Sequence, residues 1–124
     1  MIRIVLGGEW RGDEHTHKSL KRFKEYHNAE VYVSSHEEWH LPFDYHFHKG
    51  EQFLTDTIFN QSEHIHKKRY TYQWSGIYNC WKAFNEQWAD DDIVVKLRND
   101  LVFAPFELQP KENTFHTPAK EYHA

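Results

Sequence analysis

The run Ile93-Val94-Val95-Lys96-Leu97-Arg98-Asn99-Asp100 constrains the fold more than any other stretch of the chain. Three consecutive apolar residues, with Leu97 close behind, show no polar alternation. A short run of this kind predicts a strand covered on both faces, as in a parallel sheet. It ends in two cations and a carboxylate, Lys96, Arg98 and Asp100. Open α/β sheets bind ligands beyond the carboxyl ends of their strands, which is where these charges fall. They suit a phosphate-bearing ligand accompanied by a divalent cation. The competing reading of the same residues is a solvated strand end in which Arg98 and Asp100 pair with each other.

Upstream, Ile2, Ile4, Val5 and Leu6 form a first apolar strand that Gly7-Gly8 stop. Leu20 and Phe23 then recur at helical spacing, opposite Lys18, Lys21, Arg22, Lys24 and Glu25, which predicts a surface helix over 16–27. Asn28 is its stop, and Val31, Tyr32 and Val33 mark a second strand. Strand, helix and strand make a βαβ unit with a right-handed crossover. Within 35–69 the pattern predicts a loop, a short strand at 43–47 and a short helix near 51–60. Trp74, Ile77, Tyr78, Trp81, Phe84 and Trp88 follow i, i+3, i+4, i+7 spacing, a helix over 72–88 with Thr71 as N-cap. That aromatic stripe is expected to pack on the sheet. Asp90-Asp91-Asp92 precedes the third apolar strand, at its amino end, and reads as a turn and not a metal site. The tail from 104 carries Pro105, Pro110 and Pro118, with one strand-like piece at 113–117. The fold expected is α/β, a partial Rossmann-like, mostly parallel sheet with flanking helices.

With 124 residues the chain makes one domain, 1–124, and its aromatic content of 17% argues against disorder. The net charge of −4, with no basic face beyond Lys67-Lys68-Arg69, gives no nucleic-acid footprint. The single Cys80 excludes an internal disulfide and fits a reducing compartment. Arg3, Glu9, Arg11, Asp13 and Glu14 are unlike a signal-peptide core. No apolar stretch approaches the roughly 20 residues of a membrane span. The expected location is cytoplasmic.

Eleven histidines include the H-x-H pairs His15/His17, His46/His48 and His64/His66. On a strand, alternate histidines point the same way and can chelate a transition metal. His36-Glu37-Glu38-Trp39-His40 matches the zinc-protease pattern, but that chemistry needs a helix, and Pro42 follows two residues later. Titration of the histidines would reverse the sign of the net charge, making association depend on pH near 6.

Gly7-Gly8-Glu9-Trp10-Arg11-Gly12 lies at the carboxyl end of the first strand. Glycines let the backbone approach phosphate oxygens, and Arg11 can pair with them bidentately. If the first and third apolar strands are parallel neighbours, Arg11, Arg98 and Asp100 converge on one edge.

The order of these elements resembles the amino-terminal half of GT-A-type glycosyltransferases of surface-polysaccharide synthesis, including the WavE-like lipopolysaccharide group. The resemblance rests on Gly8-Glu9-Trp10-Arg11, on Val31-Tyr32-Val33-Ser34 with Trp39, on Tyr72-Gln73-Trp74, and on Ile93 to Leu101. It covers most of residues 1–105. The family pattern usually has Gln where Glu9 stands. The resemblance implies a nucleotide-sugar donor at the first-strand loop, contacted by Gly8, Arg11, Gln73, Lys96 and Arg98. It implies Mg2+ or Mn2+ on Asp100, whose Arg-x-Asp takes the place of a D-x-D, and a glycan acceptor. Such enzymes continue into an acceptor-binding half, so the chain is expected to be an incomplete domain. The sequence names no general base. Two other readings compete: a His-rich transition-metal-binding protein without catalysis, and a non-catalytic interaction module whose uncovered sheet half associates with itself or a partner.

Overall fold

The computed structural model describes residues 1–8, 10, 12–50, 65–100 and 102, and for 65–74 the backbone alone. In chain order the elements are β1 (Ile2–Gly7), α1 (Glu14–His27), β2 (Glu30–Ser35), β3 (His46–Lys49), α2 (Ile65–Phe84), a 3-10 turn at Asn85–Gln87, and β4 (Ile93–Lys96). The strands form one all-parallel sheet in the order β3-β2-β1-β4. Arg3 faces Glu30 on one side and Val94 on the other, which fixes the register across the central strand.

The α1 helix starts where its amides find a partner. Asp13 accepts from the Thr16 N–H at 3.0 Å, and the Thr16 hydroxyl accepts from the Asp13 N–H at 2.7 Å, a reciprocal capping box. The helix ends at Asn28, whose left-handed backbone (φ 49°) turns the chain into β2. Thr16, Ser19, Leu20 and Phe23 form the buried stripe, seated on Ile4, Leu6, Val31 and Val33. Truncating a buried Phe in such a core costs about 3–5 kcal/mol. The loop between β2 and β3 closes the same face with Trp39, Leu41, Phe43 and Tyr45, and the Tyr45 hydroxyl donates to the Trp39 carbonyl.

Side chains of opposite parity, Val5 and Tyr32, point to the other face and meet Ile77, Cys80 and Phe84 of α2, with Trp88 beyond it. The step from β1 to β2 and the return from β3 to β4 run in opposite directions across the sheet. Connections of one hand then place their helices on opposite faces, as α1 and α2 are. Helix α2 touches β1 backbone to backbone. A Cβ on Gly7 would lie 2.6 Å from the Gly76 carbonyl carbon, and one on Gly76 would lie 2.5 Å from the Gly8 nitrogen. Only two glycines allow that approach.

Four expectations change. Helix α2 begins at Ile65, well before residue 72, because the aromatic spacing marks only the part that lies over the sheet. Tyr78 and Trp81, expected in the core, are half exposed; the helix buries the line Ile77, Cys80 and Phe84 instead. β4, expected to be covered on both faces, is an edge strand among the described residues. Val95 and Leu97 pack on the α1 side, whereas Val94 on the α2 side is half exposed. The third strand falls at 46–49 and not 43–47. The helix expected near 51–60 and the strand-like piece at 113–117 lie outside the described residues. No helix among the described residues is long and apolar enough to cross a membrane.

Candidate functional site

Strand order identifies the edge to examine. The chain moves from β1 to β2 on one side and later returns to lay β4 on the other, so the order reverses between β1 and β4. In open parallel sheets the crevice beyond the carboxyl ends at that reversal is where ligands sit. The Leu97 N–H donates to the Val5 carbonyl at 3.4 Å, so pairing continues one residue past β4 and holds its exit beside the β1 exit.

Four of the expected site residues, Gly8, Lys96, Arg98 and Asp100, lie at this edge. Gly8 has a positive φ of 87°, is buried, and is fixed from two sides. The Ser35 hydroxyl donates to its carbonyl at 2.8 Å, and Gly76 abuts its nitrogen. Lys96 pairs in register with Val5. Its ammonium is pushed below the usual lysine range, first by burial and then by Arg98, with Asp100 opposing in part. Arg98 donates to Asp100 through both fork positions, Nε to Oδ1 at 3.0 Å and Nη2 to Oδ2 at 2.7 Å. The Arg98 side chain is 53% exposed and that of Asp100 27%. The backbone of Gln73 is one helical turn upstream of Gly76, on the carboxyl-edge side of that contact. Its side chain and the whole of Arg11 lie outside the described residues.

The first turn of α1 is not an open anion cradle. A helix N-terminus attracts negative charge, but here the Asp13 carboxylate already occupies it, with its pKa held low first by the Thr16 amide. An anion at this edge is therefore met by the side-chain cations.

Each Asp100 oxygen accepts one hydrogen bond from Arg98, which leaves each a further lone-pair position. Among the described residues no group of three His, Cys, Asp or Glu side chains gathers as a metal site would require. Mg2+ is commonly held by one or two carboxylates together with substrate phosphates. In the described arrangement a cation on Asp100 would share that carboxylate with the Arg98 guanidinium.

The histidine motifs separate. His36 to His40 is an irregular loop with Trp39 buried, so the zinc-protease pattern lacks its helix. His15 and His17 lie two residues apart on a helix, on different sides of it. His46 and His48 do share a face of β3, but His46 stacks on Tyr32 (4.6 Å, 13°) and His48 Nδ1 lies 3.2 Å from the Ser34 hydroxyl. His64 and the side chain of His66 lie outside the described residues. Asp92 of the Asp90-Asp91-Asp92 turn accepts from Arg3 and from the Ala89 amide, the structural role expected.

Ser35 and Gly76 are positioning residues that sequence reasoning missed. The available signals were a Ser-Ser pair closing an apolar strand and one glycine inside an aromatic helix, which often marks close packing. An apolar cleft of about 320 Å3 lies elsewhere, on the α2 flank, lined by Val5, Ile77, Tyr78, Trp81, Trp88 and Val94. It offers a phosphate no charged partner. Comparison with protein-family models, curated proteins and solved structures finds no match to this chain.

Proposed function

We propose that the β1–β4 edge binds the diphosphate of a nucleotide-sugar donor for glycosyl transfer to a surface glycan. The observation that carries this reading is the strand order, with its reversal beside Lys96 and Arg98. Lys96 and Arg98 offset phosphate charge there, and Gly8 lets the β1 exit approach without a side chain in the way. In transfer, cations at this edge stabilise the nucleoside diphosphate as it leaves the sugar. Gln73 and Arg11 complete the donor site in this reading, in keeping with the resemblance to GT-A glycosyltransferases. Asp100 has one of two roles in it, cation ligand or counter-ion of Arg98.

Thermal melting against UDP-, GDP-, CMP- and dTDP-sugars, each with Mn2+ and with a chelator, tests the reading. A rise for one nucleotide that vanishes in Lys96→Met supports it and names the base. No rise with any of them would remove it.

A second reading has its own observation. Trp81 and Tyr78 stand half exposed beside Val94 on β4, the edge strand among the described residues, over the apolar cleft. Exposed aromatics beside an edge strand suit a protein partner or self-association. Light scattering at rising concentration separates the two: a monomer at high concentration counts against this second reading.

A further inference from the structure

The geometry points to Asp100 as an internal competitor of the ligand anion: it fills the Arg98 fork that a phosphate would take, and anion binding at this edge is metal-independent. This rests on the β1–β4 edge being the anion site and assigns the role of one residue within it. Arginine presents its Nε and Nη donors as a planar fork matched to carboxylate or phosphate oxygens. In this chain Asp100, two residues on, satisfies that fork with both oxygens, at 3.0 and 2.7 Å. The arrangement is what a bound phosphate would adopt, made by the chain itself.

The local charge balance favours exchange. Lys96 and Arg98 carry two positive charges against the one negative charge of Asp100, which bonds the guanidinium directly and favours the Lys96 charge through space. Lys96 stays partly desolvated near a second cation, so its charge gains from an added anion. A phosphate reaching both cations replaces one carboxylate contact with two. The Arg98–Asp100 pair is half exposed on the guanidinium side, where exposed pairs are weak and exchange readily. Once displaced, Asp100 sits beside the incoming anion and repels it. The carboxylate therefore opposes binding twice, by occupying the fork and by its charge.

This assignment and the cation-ligand role make opposite predictions for Asp100→Asn. If Asp100 held a cation that bridges to the diphosphate, the substitution would abolish binding. If it competes for Arg98, the substitution strengthens binding by roughly fivefold, the size of one exposed charge interaction. The experiment is calorimetric titration of the full chain with inorganic pyrophosphate, in a chelator and again in excess Mg2+. The proteins are wild type, Asp100→Asn, Asp100→Ala and Arg98→Gln, each first checked for an unchanged melting curve.

Tighter pyrophosphate binding in both Asp100 variants, undiminished in chelator and lost in Arg98→Gln, is the result expected. Weaker binding in both Asp100 variants, or binding only with Mg2+, overturns the competitor role while leaving the edge as the anion site. Equal affinity in wild type and both Asp100 variants also overturns it, since displacement would then have no consequence. No binding by any protein overturns the anion site itself, and with it the donor-binding reading.

Discussion

Two Arg–Asp pairs among the described residues lie at opposite ends of the same sheet, and they have been put to different uses. At the amino edge Arg3 donates from Nε to Asp92 at 3.0 Å and from Nη1 to Glu30 and the Tyr32 hydroxyl at 2.5 and 2.6 Å. Its side chain is 12% exposed and that of Asp92 only 4%. Arg3 lies on β1 and its partners on β2 and in the turn before β4, so one guanidinium ties three segments far apart in sequence. At the carboxyl edge Arg98 and Asp100 are two residues apart, 53% and 27% exposed, and among the described residues their pairing joins no other element. A desolvated pair that crosses elements holds a fold together; an exposed local pair does not, and its groups are free to change partners.

The largest effect should come from breaking the first pair. Arg3→Met keeps the stem but leaves the Asp92 carboxylate shielded from water with only the Met1 ammonium, at 3.3 Å, as a cation. We expect a loss of about 2–3 kcal/mol, read from the urea midpoint at pH 7. Arg3→Lys should recover only part of it, because one ammonium cannot reproduce a fork that reaches several acceptors. A loss below about 0.5 kcal/mol for Arg3→Met would make the two pairs equivalent and end the contrast.

Acid gives a second, intermediate effect. The Asp92 carboxyl is held below the usual range, first by the Ala89 amide and with help from Arg3. Glu30 is held low first by the Tyr32 hydroxyl, with Arg3 and His46 adding to it. Groups with depressed folded-state pKa values stabilise fully above the unfolded value. That stability is lost as pH falls through the folded value. Unfolding free energy should therefore fall from the ordinary carboxylate range near pH 4 downward. In Arg3→Met the fall should be shallower, since fewer charges then hold these carboxyls low. Parallel pH profiles for the two proteins would show that the Arg3 cluster does not set acid stability.

The contrast between edges also accounts for what sequence could show. Periodicity and capping residues are local, so β1, β2 and the body of α1 were legible from Ile4, Leu6, Leu20, Phe23 and Asn28. The charges Lys96, Arg98 and Asp100 were legible as a strand end, and their placement beside β1 follows from one correct assumption about neighbours. What was not legible depends on non-local geometry. An apolar run such as Ile93-Val94-Val95 does not reveal whether a strand has one neighbour or two, and Val94 proved half exposed. The early start of α2 has no apolar spacing to announce it. Arg3, placed before three apolar strand residues, gave no hint of partners 27 to 89 residues away. Nor did Gly76 show that it faces Gly7, since close backbone approach leaves no mark except a small residue at each position.

The smallest effect should come from breaking the second pair. Arg98→Gln removes two charge-assisted hydrogen bonds, as Arg3→Met removes contacts of the same kind, yet the energetic setting differs in each respect. The guanidinium is half exposed and the carboxylate partly so, so water replaces much of what is lost, and salt screens the remainder. The contact spans two residues of one turn, so it closes no loop and joins no elements. Removing the guanidinium also relieves Lys96, whose charged form Arg98 disfavours, and this offsets part of the lost attraction. The expected change in unfolding free energy is within about 0.5 kcal/mol, unchanged between low and high salt. A loss above about 1.5 kcal/mol would mean that the carboxyl-edge pair is structural like its counterpart. Arg98 would then be committed to the fold, and no ligand could draw it from Asp100 without unfolding the turn.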